Sequence, residues 1–458
     1  MEENKTNPLG TEPVSRLLRQ FAVPSVIAML VGALYNIVDQ FFIGQAVGEL
    51  GNAATNVAFP LTTSCIAVAL MFGIGGAAAF NLSMGKKEKE DAAFYAANSI
   101  SLMVLGGILL CLFAQIFLSS VLTAFGTPQD VMPYAAVYTR VTALGFPFLI
   151  LSSGGSHIVR ADGSPRFIMY CNLTGALINT VLDWLFVFRF SWGMAGAGFA
   201  TIIGQAVAGL LVINYLRSYK TVHLRLFMFR PRRKYALRIA ALGMGPCSNQ
   251  LAMMAVQIVL NNSLSYYGAL SVYGQAIPLA CAGIIMKVNQ LIFSVPIGIS
   301  QGLQPIASFN YGAENYRRVK SAFFLAVGYA SVVAVIAFIA FQLFPREIIG
   351  VFGEGSDEYY AFAVKFFRVF LFFTFLNVLQ PLTGNLFTAI GKPAKGMFIS
   401  LTRQILFFLP LVIILPRFMG IDGIIFAGPA ADGIAFIVSV FMVFMELRQK
   451  KYAKESCV

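Results

Sequence analysis

The sequence predicts an all-α integral membrane protein: twelve transmembrane helices in two parallel-repeat six-helix lobes with a central cleft. Three observations carry this reading: composition, the spacing of polar breaks, and an internal repeat. The 458 residues are 58% hydrophobic and only 12% charged, with a mean hydropathy of +0.76. Soluble domains carry roughly twice that charge. At about 20 apolar residues per span, a dozen spans use nearly the whole chain. No polar block is left for a soluble catalytic domain or a nucleotide-binding cassette, so no enzyme and no cofactor are expected.

Breaks at charged and Gly/Pro clusters place the spans near 15–43, 53–82, 92–118, 131–158, 167–190, 194–216, 238–265, 273–306, 317–343, 358–388, 396–416 and 423–447. The chain then repeats itself. Phe125-Gly126 recurs as Phe352-Gly353, Gly193-Met194-Ala195-Gly196 as Gly420-Ile421-Asp422-Gly423, and Gly85 followed by charges as Gly312 followed by Glu314, each 227 residues on. Gly163-Ser164-Pro165 recurs as Gly391-Lys392-Pro393, and Val23-Pro24 as Gly245-Pro246. The domains are therefore an N-terminal lobe, 1–216, a basic linker, 217–237, and a C-terminal lobe, 238–458. Six spans per half keep both halves in one orientation, as in transporters built from parallel repeats that rock about a cleft.

Lys and Arg fix the orientation. Twenty-five of them fall in the N-terminal tail, the even loops and the C-terminal tail or at the span ends beside them, against only Arg189, Arg346 and Arg417 in or beside the odd loops. Both termini are expected in the cytoplasm. Arg140, Lys287, Lys365, Arg368 and Arg403 fall inside spans, where each must face a cavity or snorkel. The formal net charge of +13 does not indicate nucleic acid. Its densest stretch, from Arg217 to Arg238, has no aromatic platform and reads as a loop beside anionic lipid. Residues 1–15 are polar and of mixed charge, so insertion is expected to be directed by the first span.

Other motifs dissolve on inspection. Gly384 to Lys392 has the wrong glycine spacing for a phosphate loop, and Pro393 stands where a magnesium-binding hydroxyl would be. Gly73, Gly75 and Ala78 match a relaxed dinucleotide fingerprint, but within an apolar run they read as small residues for close helix packing. Cys65, Cys111, Cys171, Cys247, Cys281 and Cys457 have no metal-type spacing, and His157 and His223 stand too far apart for a metal cluster.

The informative residues are the acids inside apolar segments: Asp39, Asp183 and Asp432. Asn179 and Asp183 are four residues apart and share a helix face, and Tyr35, Asn36 and Asp39 make a second polar face on the first span. Two acids in one low-dielectric pocket cannot both stay charged without a cation, so such a pair must hold a proton or a metal ion such as sodium. The repeat puts Asn261 in place of Asp39, and Leu406 and Pro410 in place of Asn179 and Asp183, so ion coupling is expected in the N-terminal lobe alone. Pro24 lacks the amide hydrogen of a regular helix and is a candidate hinge. For Asp432 the reading is a helix-pairing contact.

Pro24 and Asp39 on the first span, Asn179-x-x-x-Asp183 on the fifth, and the Gly-x-Pro after the fourth and tenth spans resemble the multidrug and toxic compound extrusion family, over nearly the whole chain and most closely its bacterial MepA-like branch. The resemblance implies secondary active export of organic cations and other amphipathic drugs, driven by entry of H+ or Na+. It implies an ion-coupling site of Asp39, Asn179, Asp183 and Thr201, the sodium ligands if sodium is the ion, with Tyr35, Asn36 and Tyr138 at a substrate cavity and Pro24 as the hinge. It further implies a monomer in the bacterial cytoplasmic membrane whose partners are small-molecule drugs and the bilayer, not nucleic acid, with a role in antibiotic resistance. Where relatives carry acids on the seventh and tenth helices, this chain has Asn249, Asn261 and Asn377, which argues against a second sodium site.

Two other classes compete. A flippase for a lipid-linked saccharide would need a cavity lined by cations, for which Arg140, Lys287 and Arg403 are the candidates. A sensory membrane protein would bind without turnover.

Overall fold

The computed structural model describes residues 7–125, 127, 129–274, 276–350, 356–449 and 452. Gly126, Phe352, Gly353 and Cys457, used in the reading above, lie outside them. Among the described residues there are no strands. Among the described residues nine helices are long and apolar enough to cross a membrane, and two bent helix pairs raise this to eleven. The remaining long helix, Arg233–Ala269, has 37 residues, about 56 Å at 1.5 Å per residue. Its amides, among them Asn249, Gln257 and Asn261, make it less apolar than the others.

In chain order the spans are Val14–Val47, Glu49–Gly85, Lys89–Ile116, Met132–Leu144 with Phe146–Ala161, Pro165–Arg189, and Gly193–Leu216. The second half follows with Arg233–Ala269, Ala276–Gly312, Tyr316–Leu343, Asp357–Phe370 with Thr374–Ala389, Pro393–Met419 and Ile421–Leu447. The fourth and tenth spans, each a single apolar segment in the sequence, are broken, by 56° and 43°. Gly145 and Pro147 account for the first break, since proline withholds a hydrogen bond and disfavours helix just before it. The second falls at Leu371–Phe373, where no glycine or proline marks it. The fifth and eleventh spans each pass into a π-helix, at Trp184–Arg189 and Thr402–Phe408.

The internal repeat is written in the backbone. Gly163 and Gly391 have φ of +84° and +76°, Gly193 and Gly420 +53° and +60°, and Lys87 and Glu314 +66° and +61°. Each pair is separated by the offset found in the sequence. The same loop is pinned in both halves by opposite charge. Asp162 accepts from the Tyr215 hydroxyl, the Lys220 and Thr221 amides and the Thr221 hydroxyl, whereas Lys392 donates to Glu446 at 2.6 Å. Burial pushes the Asp162 carboxyl above the usual carboxylate range, and these hydrogen bonds pull it back.

The halves meet near the end that carries both chain termini. A side chain on Gly75 would strike the Ile239 carbonyl at 2.1 Å, and one on Gly243 the Met71 carbonyl at 1.8 Å. The repeat-related Gly85 and Gly312 meet each other's helices at Phe309 and Leu82. Gly298 and Gly302 lie against Val26 and Ala22 of the first span. The second-span glycines thus serve helix packing. The first span is shared between halves: it packs on the eighth span, at Ala22 and Val26 among other residues, and on the fifth.

Candidate ion-coupling site

The first span carries Asp39 into its own half. Taking Val26 as the direction of the eighth span, a residue 13 positions on points to the far side at 3.6 residues per turn, where the fifth span packs. There Asp39 and Asp183 interact directly, and Asp183 also interacts with Asn179 one turn earlier. Asp183 is the last α-helical residue before the π-helix that begins at Trp184. Widened turns of this kind recur at functional sites because they re-aim side chains. Thr201 of the sixth span faces both Tyr35 and Tyr138, and both tyrosines also feel Asp39 and Asp183.

Six of the eight residues singled out from the sequence therefore form one cluster: Tyr35, Asp39, Tyr138, Asn179, Asp183 and Thr201. Two lie apart. Asn36 is exposed and its amide donates to the Gly32 carbonyl at 3.0 Å. Pro24 sits within an unbroken helix, beside the Val26 contact with Gly298. The residues alone did not single out Tyr138 of the fourth span, which entered by family resemblance. The π-helix after Asp183 left no mark in the sequence.

Asp183 is 0% exposed and Asn179 1%. Both Asp183 oxygens, Asp39 Oδ1, both polar atoms of Asn179 and the Thr201 hydroxyl lack a hydrogen-bond partner of good geometry. Buried polar atoms are nearly always satisfied, and neither acid joins an ion pair among the described residues. This donor set of hard oxygens fits a shared proton or a small cation such as sodium. Among the described residues no group of three or more His, Cys, Asp or Glu could hold a metal ion.

The second half is built differently. Asp432, 4% exposed, pairs with Arg403, which also lies over the Phe408 ring at 5.7 Å. This ties the eleventh span to the twelfth, as a helix-pairing contact does. Arg403 is thereby committed to an acid. Lys365 pairs with Asp422 at 2.7 Å, while Arg140, Lys287 and Arg368 are exposed.

The family profile MatE matches residues 24–185 and 249–414, one stretch in each half. The chain belongs to the MatE family. The matched stretches begin at Pro24 and include Asp39, Asn179 and Asp183. Among curated proteins it is similar to the multidrug export protein MepA of Staphylococcus aureus, 23% identical over 449 residues and 97% of each chain. Its fold matches a multidrug resistance MATE family transporter of the MOP superfamily in an outward-facing conformation, at TM-score 0.90 and 22% identity, covering 98% of this chain and 99% of that one. It also matches a MOP superfamily transporter from Pyrococcus furiosus at TM-score 0.89 and 21% identity, over 96% and 97%. That transporter is described as having a binding pocket of reversed polarity and, on that ground, a different function. The MatE fold of this chain is that of a multi-pass membrane protein.

Proposed function

We propose that this MatE-family chain is a secondary active multidrug exporter of the bacterial cytoplasmic membrane, exchanging amphipathic drugs, organic cations among them, for H+ or Na+ at the Asp39–Asp183 cluster. The observation that carries the reading is a pair of facing acids, one wholly buried, with unpartnered oxygens and, among the described residues, no cationic side chain paired with them. Such a pair needs a bound cation, and taking one up or giving it back changes the charge of the pocket by a full unit.

With both termini cytoplasmic, the glycine contacts close the inner side and the cleft faces outward. An ion entering from outside reaches the acids through the open side, neutralises them and alters their hold on the first span. Pro24 lies between Ala22, which packs on Gly302, and the part of that span that runs from Val26 to Asp39, so bending there would transmit ion binding to the cleft. One charge moving through 100 mV gains about 2.3 kcal/mol, enough to sustain a gradient of about fiftyfold per charge. The flippase reading loses Arg403, which is held by Asp432.

The test uses purified protein in proteoliposomes with a fluorescent drug and an imposed H+ or Na+ gradient. Wild type is expected to accumulate drug under one of the two gradients, and Asp183→Asn and Asp39→Asn are expected to lose that accumulation. Full gradient-driven transport in both variants would overturn the assignment. Binding of drug with no transport under either gradient would favour the sensory reading.

A further inference from the structure

The eighth span, Ala276–Gly312, touches the first span at Gly298, whose Cα lies against the backbone of Val26. Lys287 precedes Gly298 by 11 residues, close to three full turns of a straight helix, so beyond Pro296 it projects from about the same helix face about 16 Å further toward the outer end. The two helices run in opposite directions, and the contacts Val26–Gly298 and Ala22–Gly302 set one register between them. By that register Lys287 stands level with Ile37, between Asn36 and Asp39 in height. Yet Lys287 is exposed, and a side chain added at Gly283, one turn above it, would meet nothing within 4 Å. By this register the helices part at that level, which directs Lys287 toward the space between the halves.

The rest of this wall is uncharged. On the seventh span, the face that meets the second span at Gly243 continues outward through Gln250, Gln257 and Asn261, the last two joined by a 2.9 Å hydrogen bond. Across from Lys287 the first span offers Ile37 and Gln40, while Asp39 points the other way into its own half. Lys287 forms no ion pair among the described residues. A lysine at this depth on a lipid-facing side would be costly, and intramembrane cations mark ligand pathways.

We infer that Lys287 is a specificity-determining residue of the cleft, which takes amphipathic cargo carrying a carboxylate, zwitterions included, with the carboxylate paired to the Lys287 ammonium. This rests on the exporter reading and sharpens its cargo: the acids that bind the coupling ion face into the first half, and the charge that the described residues place unpaired on the opposite wall is positive. A purely cationic drug would be repelled there, whereas a zwitterion gains a charge-assisted hydrogen bond.

The experiment compares a zwitterionic fluoroquinolone with its methyl ester, which lacks the carboxylate, in proteoliposomes. Lys287→Gln is expected to raise the half-saturating concentration of the zwitterion about tenfold, the factor of a single charged contact of about 1.4 kcal/mol, and to leave the ester unchanged or improved. Lys287→Arg is expected to restore zwitterion transport. Equal effects of Lys287→Gln on both compounds, or none on either, would overturn the assignment. So would Lys287-dependent flipping of a fluorescent phosphatidylglycerol without discrimination between the two drugs, which would move the anion to a lipid headgroup. Failure of the exporter reading is separately visible, because Asp183→Asn would then leave gradient-driven uptake of both compounds intact.

Discussion

The two halves share a backbone and differ in how they treat a buried acid. In the first, Asp39 and Asp183 face each other, and among the described residues no cationic side chain pairs with either. In the second, Asp432 lies against Arg403. A carboxylate neutralised by its own protein is a structural tie, since its energy is realised whatever ions the solution contains. A pair left for an outside cation makes the conformation answer to that cation. On the proposed exporter reading, the duplicated fold holds one half in permanent electrostatic balance and leaves the other to be completed from solution.

The largest effect that would break this comparison is on transport. Asp183→Asn is expected to take the accumulated drug gradient from about fiftyfold at 100 mV to none, while Asp432→Asn keeps ion dependence. Direct measurement is the steady-state ratio of drug inside and outside proteoliposomes at matched expression. If Asp432→Asn changed which ion drives transport, the second half would have to be counted in the coupling site.

Stability should invert the order. Removing one partner of a buried ion pair costs about 3–5 kcal/mol, so Arg403→Ala is expected to lower the unfolding midpoint in detergent sharply. Replacing Arg403 and Asp432 together by Leu should recover much of it, because two apolar groups leave no uncompensated charge. Asp39→Asn and Asp183→Asn relieve a repulsion and are expected to leave the midpoint unchanged or raise it. A steep fall in those two variants would mean that the first-half acids also hold the bundle together.

Between the halves, the glycine contacts are expected to show an intermediate effect. Gly75→Ala puts a methyl carbon 2.1 Å from the Ile239 carbonyl, and overpacking of this kind costs about 1–3 kcal/mol. The same substitution at Gly283, where space is open, should be near neutral. Crosslinking between cysteines on the second and seventh spans would register the separation that Gly75→Ala forces.

Much of this was legible before the structure. Span order, the repeat and the pairing of Asn179 with Asp183 on one face follow from apolar run length, from Gly/Pro spacing and from the 3.6-residue period, all local properties. Three things were not local. The break at Leu371–Phe373 and the π-helix at Trp184–Arg189 carry no glycine or proline signal, whereas the π-helix at Thr402–Phe408 runs up to Pro410, which withholds an amide hydrogen but does not by itself specify a widened turn. The choice of Arg403 by Asp432 needs the eleventh and twelfth spans placed side by side, which no offset along the chain reveals. And Asn36, three residues from Asp39, looks like part of the same polar face in sequence, yet the helix turns it toward exposed surface and its amide back onto Gly32.

The smallest test compares the loops after the fourth and tenth spans. Gly163 and Gly391 both adopt a left-handed backbone, which costs any residue with a Cβ about 1–2 kcal/mol. Alanine at Gly163 would meet nothing within 4 Å, so its whole penalty is conformational. At Gly391 the added methyl would also crowd Arg238 Nη2 and Leu82 at 3.3 Å, a contact that reaches across from the second span to the C-terminal half. Gly391→Ala should therefore lower the unfolding midpoint slightly more than Gly163→Ala, and only Gly391→Ala should loosen the seam between halves, read as faster amide exchange near Leu82. Equal midpoints and unchanged exchange would mean that the loop conformation alone sets the cost, and that the second half's Gly-x-Pro turn plays no part in closing the inner side.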